Sequence, residues 1–134
     1  MDRISKAHRS WNMSRIRSKD TTPEKLVRSA LHKMGYRFRL HRSDLPGTPD
    51  IVLPRYKIAL FVHGCFWHRH NTCRLAYTPK SRADFWNAKF LATVARDRKV
   101  RRMLTRLGWT HIVIWECQST DTERISTIIR EALA

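Results

Sequence analysis

Apolar and polar positions along this 134-residue chain follow two different periods, and each change of period marks an element. After Thr22, Leu26, Val27, Ala30, Leu31 and Met34 recur at helical spacing. Thr22 reads as the N-cap, Pro23 as the first helical residue, Glu24 as a first-turn acid and Gly35 as the stop. Residues 36–41 (YRFRLH) then alternate apolar with basic, the pattern of a half-buried strand. Past a loop at 42–49, Asp50 to Leu53 and Lys57 to Val62 are apolar β-type runs joined by Pro54-Arg55-Tyr56, which predicts a central hairpin.

The helical period returns over residues 81–107, with room for a break near Asn87. Phe90, Leu91, Val94, Leu104 and Leu107 form its expected core stripe, and Gly108 closes it. Residues 109–115 (WTHIVIW) read as a largely buried strand, with Trp109 and Trp115 in the core. Thr120-x-x-Glu123 is a capping box for a last helix that turns Ile125, Ile128, Ile129 and Ala132 inward. The order α-β-β-β-α-β-α predicts an α/β fold: a mixed central sheet flanked by helices, in a single domain spanning 1–134. In such sheets polar site residues gather at strand ends, where Asp50, His63 and Glu116 all fall.

Residues 1–21 lack this patterning and read as a basic arm or short helix that orders on binding. They hold no apolar h-region, and the chain has no run of roughly 18–20 apolar residues, so neither a secretory signal nor a membrane span is expected. A cytoplasmic, reducing environment is the expectation. Charge changes the picture more than composition does. The net charge is +16, residues 1–42 hold 12 Lys/Arg against three acids, and residues 51–83 contain no acid at all. Such a surface suits a polyanion, bound mainly through counterion release. Arg outnumbers Lys and is spread through a patterned fold, which favours a nucleic-acid partner over a merely soluble basic protein or a ribosome-type structural binder.

The chemistry concentrates in residues 60–73, LFVHGCFWHRHNTC, with three histidines and two cysteines. Cys65-x4-His70-x2-Cys73 plus the distant Cys117 has the donor types and number of a closed, structural Cys3His zinc site. His68 is an alternative to His70, and three buried free thiols are the plainer alternative. Asp50, at a strand start, suits Mg2+, which favours one or two carboxylates with waters and phosphates. His63 and His68 are left to accept a proton or contact a phosphate. Asp97, the only acid between residues 85 and 115, can orient such a base or simply pair with neighbouring basic residues on its helix. Phe66, Trp67 and Trp86 lie in basic surroundings, where exposed rings stack on bases or wedge between them; core packing is the alternative.

These residues together resemble the very-short-patch-repair (Vsr) endonucleases, bacterial nickases that act on T:G mismatches left by deamination of 5-methylcytosine. The similarity covers essentially the whole chain: SWNMSRIRSKDTTPE, LPGTPDIV, FVHGCFWHRH, the Phe85-Trp86 pair, RDRK and VIWEC. The resemblance implies a variant of the PD-(D/E)xK restriction-endonuclease-like fold in which His63 stands where the usual lysine would. It implies that Asp50 binds Mg2+ with the backbone carbonyl of Val62, that His68 is the general base oriented by Asp97, and that His63 contacts the scissile phosphate. Glu24 matches a family acid near the site. Phe66, Trp67 and Trp86 match a wedge beside the mismatch, with Met13 of the arm gripping DNA from the other groove. Cys65, His70, Cys73 and Cys117 match zinc ligands.

Val62 replaces a Thr of some members, which spares a carbonyl ligand but not a hydroxyl one. The His70–Cys73 spacer is one residue longer than in some members. The implied activity is Mg2+-dependent, strand-specific cleavage 5′ to a mismatched thymine, by a monomer acting on duplex DNA at the bacterial nucleoid. The rivals are a restriction-like nuclease of other specificity and a non-catalytic, zinc-stabilised DNA-binding module.

Overall fold

Four strands form one mixed sheet in the order β1-β2-β3-β4. A computed structural model describes residues 20–134. The elements are α1 (Thr22–Lys33), β1 (Arg39–Leu40), β2 (Ile51–Leu53), β3 (Ile58–His63), α2 (Ala83–Arg106), β4 (Thr110–Trp115) and α3 (Thr122–Leu133). β1, β2 and β3 pair antiparallel, and β4 joins β3 in parallel through the α2 crossover. Met13 and most of the 1–21 arm lie outside the described residues; Asp20 and Thr21 fall inside them.

The period of two along the strands sorts the core onto two faces. Ile51, Leu53, Ile58, Leu60, Ile112 and Ile114 face Val27 and Leu31 of α1 and Ile125 and Ile129 of α3. Val52, Ala59 and Phe61 face the other way, against Leu104 of α2 and Leu45 of the loop before β2. His63 keeps the parity of Ala59 and Phe61, so strand alternation alone sends its side chain to the α2 face. Because β2 runs against β3, the start of β2 and the end of β3 lie at the same end of the sheet, and Asp50 and His63 meet there.

Several boundaries differ from expectation. Thr21, not Thr22, caps α1: its Oγ1 accepts the Glu24 N–H at 3.4 Å, and Pro23 follows inside the first turn. Asp121, not Thr120, caps α3, accepting the Arg124 N–H at 3.0 Å. A turn of 3-10 helix at Glu116–Gln118 delays that helix by one residue. The strand expected at 36–41 shrinks to two exposed residues, because β1 is an edge that pairs only Arg39 with Val52 and Leu40 with Ile51.

Helix α2 runs unbroken through Asn87 for 24 residues, roughly 36 Å. It buries Phe90 and Leu104, whereas Leu91 and Leu107 are 72% and 56% exposed. Phe90, Asp97 and Leu104 recur every seven residues, two helical turns, and define the true inward line; Leu91 lies about 100° round from it. Trp109 and Trp115 are half-buried rather than core residues.

Candidate active site and metal centre

The start of β2 is held by its preceding loop. Gly47 has φ +74°, and a Cβ there would lie 2.6 Å from Val100 Cγ1, so only glycine lets the loop pass this close to α2. Pro49 is fully buried behind it. Asp50 then emerges with its Oδ2 accepting the Val62 N–H at 2.8 Å. Burial drives the Asp50 pKa up to about 7; the Val62 hydrogen bond opposes this, and the neighbouring Glu24 carboxyl adds to it. Glu24 is only 2% exposed, and its Oε2 accepts the Asp20 N–H at 2.9 Å and Arg28 Nη2 at 3.1 Å. Two carboxyls therefore share one corner of the site.

Beside them, His63 is 6% exposed and its ring lies flat on that of His68, with centroids 3.8 Å apart and planes 5° from parallel. His68 Nδ1 meets Asp97 Oδ2 at 2.7 Å, and His63 Nε2 is 4.0 Å from Asp97 Oδ1. With Nδ1–H donating to the carboxylate, His68 Nε2 keeps its lone pair. Burial, reinforced by His68, lowers the His63 pKa to about 3, so its ring stays neutral at neutral pH. Asp97 thus faces two histidines across the cleft instead of serving only as a basic residue's partner on its own helix. His63, His68 and Asp97 offer donor atoms within 4.8 Å of one another.

The same loop turns its other side to a second cluster. Cys65, His70, Cys73 and Cys117 also bring their donor atoms within 4.8 Å. Cys65 Sγ lies 3.6 Å and Cys117 Sγ 3.4 Å from His70 Nδ1. His70, rather than His68, belongs to this group; its ring stacks on Trp115 at 4.3 Å, and its N–H donates to the Cys65 carbonyl at 3.1 Å. Glu116 Oε1 accepts the Cys65 N–H at 3.2 Å, linking the loop to the end of β4 a second time. Burial pushes the Cys65 thiol up to about 12, and Cys117 also rises through burial. Cys73 is lowered, first by the Leu75 backbone.

Phe66 lies among the rings of Trp67, Tyr77, Trp86 and Phe90, at centroid distances of 5.1–5.6 Å. Arg69 covers Phe90 at 4.0 Å. Phe66, Trp67 and Trp86 are half-buried in this cluster, so they are braced rings and not free-standing ones. Phe66 and Trp67 border a cleft of about 1080 Å³ that also receives Asp50, Glu24, His63, His68 and Asp97.

A family model described as "DNA mismatch endonuclease Vsr" matches residues 1–74. Over 132 residues the chain is 51% identical to the type II nicking enzyme V.XorIIP of Xanthomonas oryzae pv. oryzae, covering 98% of this chain and 96% of the relative. The chain belongs to the Vsr DNA mismatch endonuclease family. It is also 41% identical over 121 residues to the DNA mismatch endonuclease Vsr of Escherichia coli K12, covering 90% of this chain and 77% of that protein. The type II nicking enzyme V.NmeAIP of Neisseria meningitidis is 40% identical over 134 residues, with 97% and 95% covered.

As a Vsr-family member the protein is an endonuclease acting on DNA, with a restriction-endonuclease-like fold built here from a four-stranded mixed sheet and three helices. Among the described residues no helix is long and apolar enough to cross a membrane. Beyond the motifs that carry the Vsr resemblance, the cleft also takes in His41 and His111, which sequence reading did not single out. His111 sits one alternation before Val113 on the α2 face, so strand parity alone could have placed it. His41 lies at the end of a stretch read as ordinary strand, and its location carries no such signal.

Proposed function

We propose that this enzyme nicks one strand of duplex DNA 5′ to the thymine of a T:G mismatch, as a monomer, in Mg2+-dependent very short patch repair. The observation that carries this reading is the meeting of Asp50, Glu24, His63, His68 and Asp97 around one open cleft. Asp50 and the Val62 carbonyl would hold Mg2+. A residue's N–H and C=O leave an extended strand on the same side, so the carbonyl of Val62 faces the edge from which its N–H reaches Asp50. When bound, the ion supplies charge neutralisation at the scissile phosphate and the leaving oxygen.

His68 takes the proton of the attacking water on Nε2, and Asp97 on Nδ1 fixes the ring and stabilises the imidazolium that forms. His63, kept neutral by burial, positions the phosphate through hydrogen bonding without adding a second positive charge to the stacked pair. Glu24 lies next to Asp50 and would reach the ion or its water. Phe66, Trp67 and Trp86 form the wedge at the mismatched step, where a mispaired duplex deforms more cheaply. Met13 and the arm grip the opposite groove.

Cys65, His70, Cys73 and Cys117 would hold a structural Zn2+. For tetrahedral zinc, Zn–S near 2.3 Å and Zn–N near 2.1 Å imply S···N separations of about 3.6 Å. The observed 3.6 and 3.4 Å match that edge.

The test is a cleavage panel on T:G, other mismatched and matched duplexes, with and without Mg2+. Metal-dependent nicking of T:G alone, lost by at least a thousandfold in Asp50→Ala with duplex binding retained, is the expected result. Equal cutting of matched duplex would point to restriction-like specificity. A fully active Asp50→Ala protein would sink the metal role.

A further inference from the structure

The α1 wall of the cleft carries a polar network around Glu24 whose other members, Asp20, Arg28 and His41, have no role in the chemistry above. Arg28 Nη2 bridges Glu24 Oε2 at 3.1 Å and Asp20 Oδ1 at 2.6 Å. The His41 ring closes the open side, its Nε2 lying 3.0 Å from Arg28 Nη2, 3.3 Å from Asp20 Oδ1 and 3.7 Å from Glu24 Oε2. The backbone of the same residue does a second job. His41 has φ +48°, a left-handed conformation that a side chain like histidine's seldom adopts, and its N–H donates to the Asp50 carbonyl at 3.2 Å. One residue therefore touches the holders of one acid with its ring and the backbone of the other acid with its amide.

We infer that His41 is a positioning residue for the acid pair, clasping Glu24 through Arg28 and Asp20 while its backbone fixes Asp50. The inference rests on the reading of Asp50 and Glu24 as the carboxylates of the site. Glutamate has three side-chain torsions, and a carboxylate set beside a second one is repelled from it when both are ionised. Arg28 comes from the same helix, one turn along, so it cannot by itself decide how far Glu24 leans toward β2. His41 comes from the sheet side, and its ring sets a fixed polar group against the Asp20–Arg28 pair on that side. Without the ring, water and a DNA phosphate compete for the Arg28 guanidinium, and Glu24 follows it.

The clasp separates side chain from backbone in a testable way. His41→Ala should lower kcat on the T:G duplex about tenfold, the lower end of what lost supporting partners cost, with KM within about twofold of wild type. His41→Gln, whose amide reaches nearly as far as Nε2, should recover most of that loss. His41→Asn, which tolerates the left-handed backbone but is too short, should not. In a Glu24→Gln background His41→Ala should change kcat by less than about twofold, because the two act as one unit.

A readout independent of turnover is the imidazole 15N shift of His41 in the metal-free protein, which should move on Glu24→Gln. A full tenfold loss persisting in the Glu24→Gln background, a loss carried by KM alone, or an unmoved 15N signal would each overturn the clasp. Asp50→Ala run alongside keeps the two readings apart. If it is inactive while His41→Ala is fully active, only the clasp fails; if it is active, the site assignment itself fails.

Discussion

The loop after β3 builds two donor clusters of similar compactness, and they face different worlds. Cys65, His70, Cys73 and Cys117 bring three thiols and an imidazole together at the ends of two strands, with Cys65 buried and Cys117 exposed. His63, His68 and Asp97 gather as tightly, yet one side of that group opens on the cleft beside Asp50. Donor count does not separate a structural centre from a reactive one. The difference lies in what each donor is committed to and whether a reacting group can enter. Four donors would complete a tetrahedral ion in the first cluster, whereas the second pairs His68 with Asp97 through a direct hydrogen bond and, among the described residues, leaves the other ring nitrogen of His68 without a partner.

The contrast breaks most sharply at the cysteine cluster. Structural zinc contributes on the order of 10 kcal/mol in small zinc-dependent peptides. Cys117→Ser is expected to lose the bound ion, lower Tm by more than about 10 °C, and abolish nicking, because the loop that aims His68 is held at that point. Metal analysis, thermal melting and a nicking assay check this together. A serine variant that keeps its metal and its activity would show that the two clusters are independent.

In the cleft the expected pattern is the reverse, with activity lost and fold retained. His68→Ala should cost roughly 10²–10⁴ in kcat, the usual range for a general base. Asp97→Asn should cost about 10–100, as expected for a partner that orients the base. Both proteins should keep their zinc and melt within a few degrees of wild type. Equal losses in the two variants would mean that Asp97 does more than orient the ring.

Much of this arrangement was legible in the chain. The hairpin turn at Pro54-Arg55-Tyr56 brings Asp50 and His63 together because antiparallel pairing forces strand start against strand end. Parity along β3 then sends His63 toward α2. Asp97 was readable too, through its seven-residue register with Phe90 and Leu104, although its basic neighbours disguised it as a surface charge. Leu91 and Leu107 misled for a physical reason: Leu91 sits about 100° round the helix from the Phe90–Asp97–Leu104 line, and Leu107 is the residue at which the helix ends, so both face water. The caps shifted by one residue because Thr21 and Thr22, or Thr120 and Asp121, compete for the same role, and only the chain's entry direction decides. His41 was illegible since its importance comes from a left-handed backbone and a partner set spread over residues 20–50.

The smallest expected effect sharpens the contrast within the cleft itself, where burial acts oppositely on Asp50 and His63. In the metal-free protein Asp50 titrates near 7, against about 3.9 in an unfolded chain. Between those values the folded state holds a proton that the unfolded state releases, so this group makes stability fall as pH rises from about 4 to 7. His63, lowered to about 3 from about 6.5, does the opposite: the unfolded state binds the extra proton, and stability rises with pH across roughly 3 to 6.5. The two slopes offset in wild type over their shared window, and removing one exposes the other. Asp50→Asn keeps an acceptor for the Val62 N–H and removes only the charge. Its melting temperature should equal that of wild type near pH 4. It should exceed wild type by several degrees above pH 7, a rise of about three pKa units corresponding to at most about 4 kcal/mol. Adding Mg2+ at pH 8 should then raise wild type and leave the variant unmoved, reversing their order. A difference between the two proteins that stays constant from pH 4 to 8 would mean that the Asp50 carboxyl is not held protonated by its surroundings.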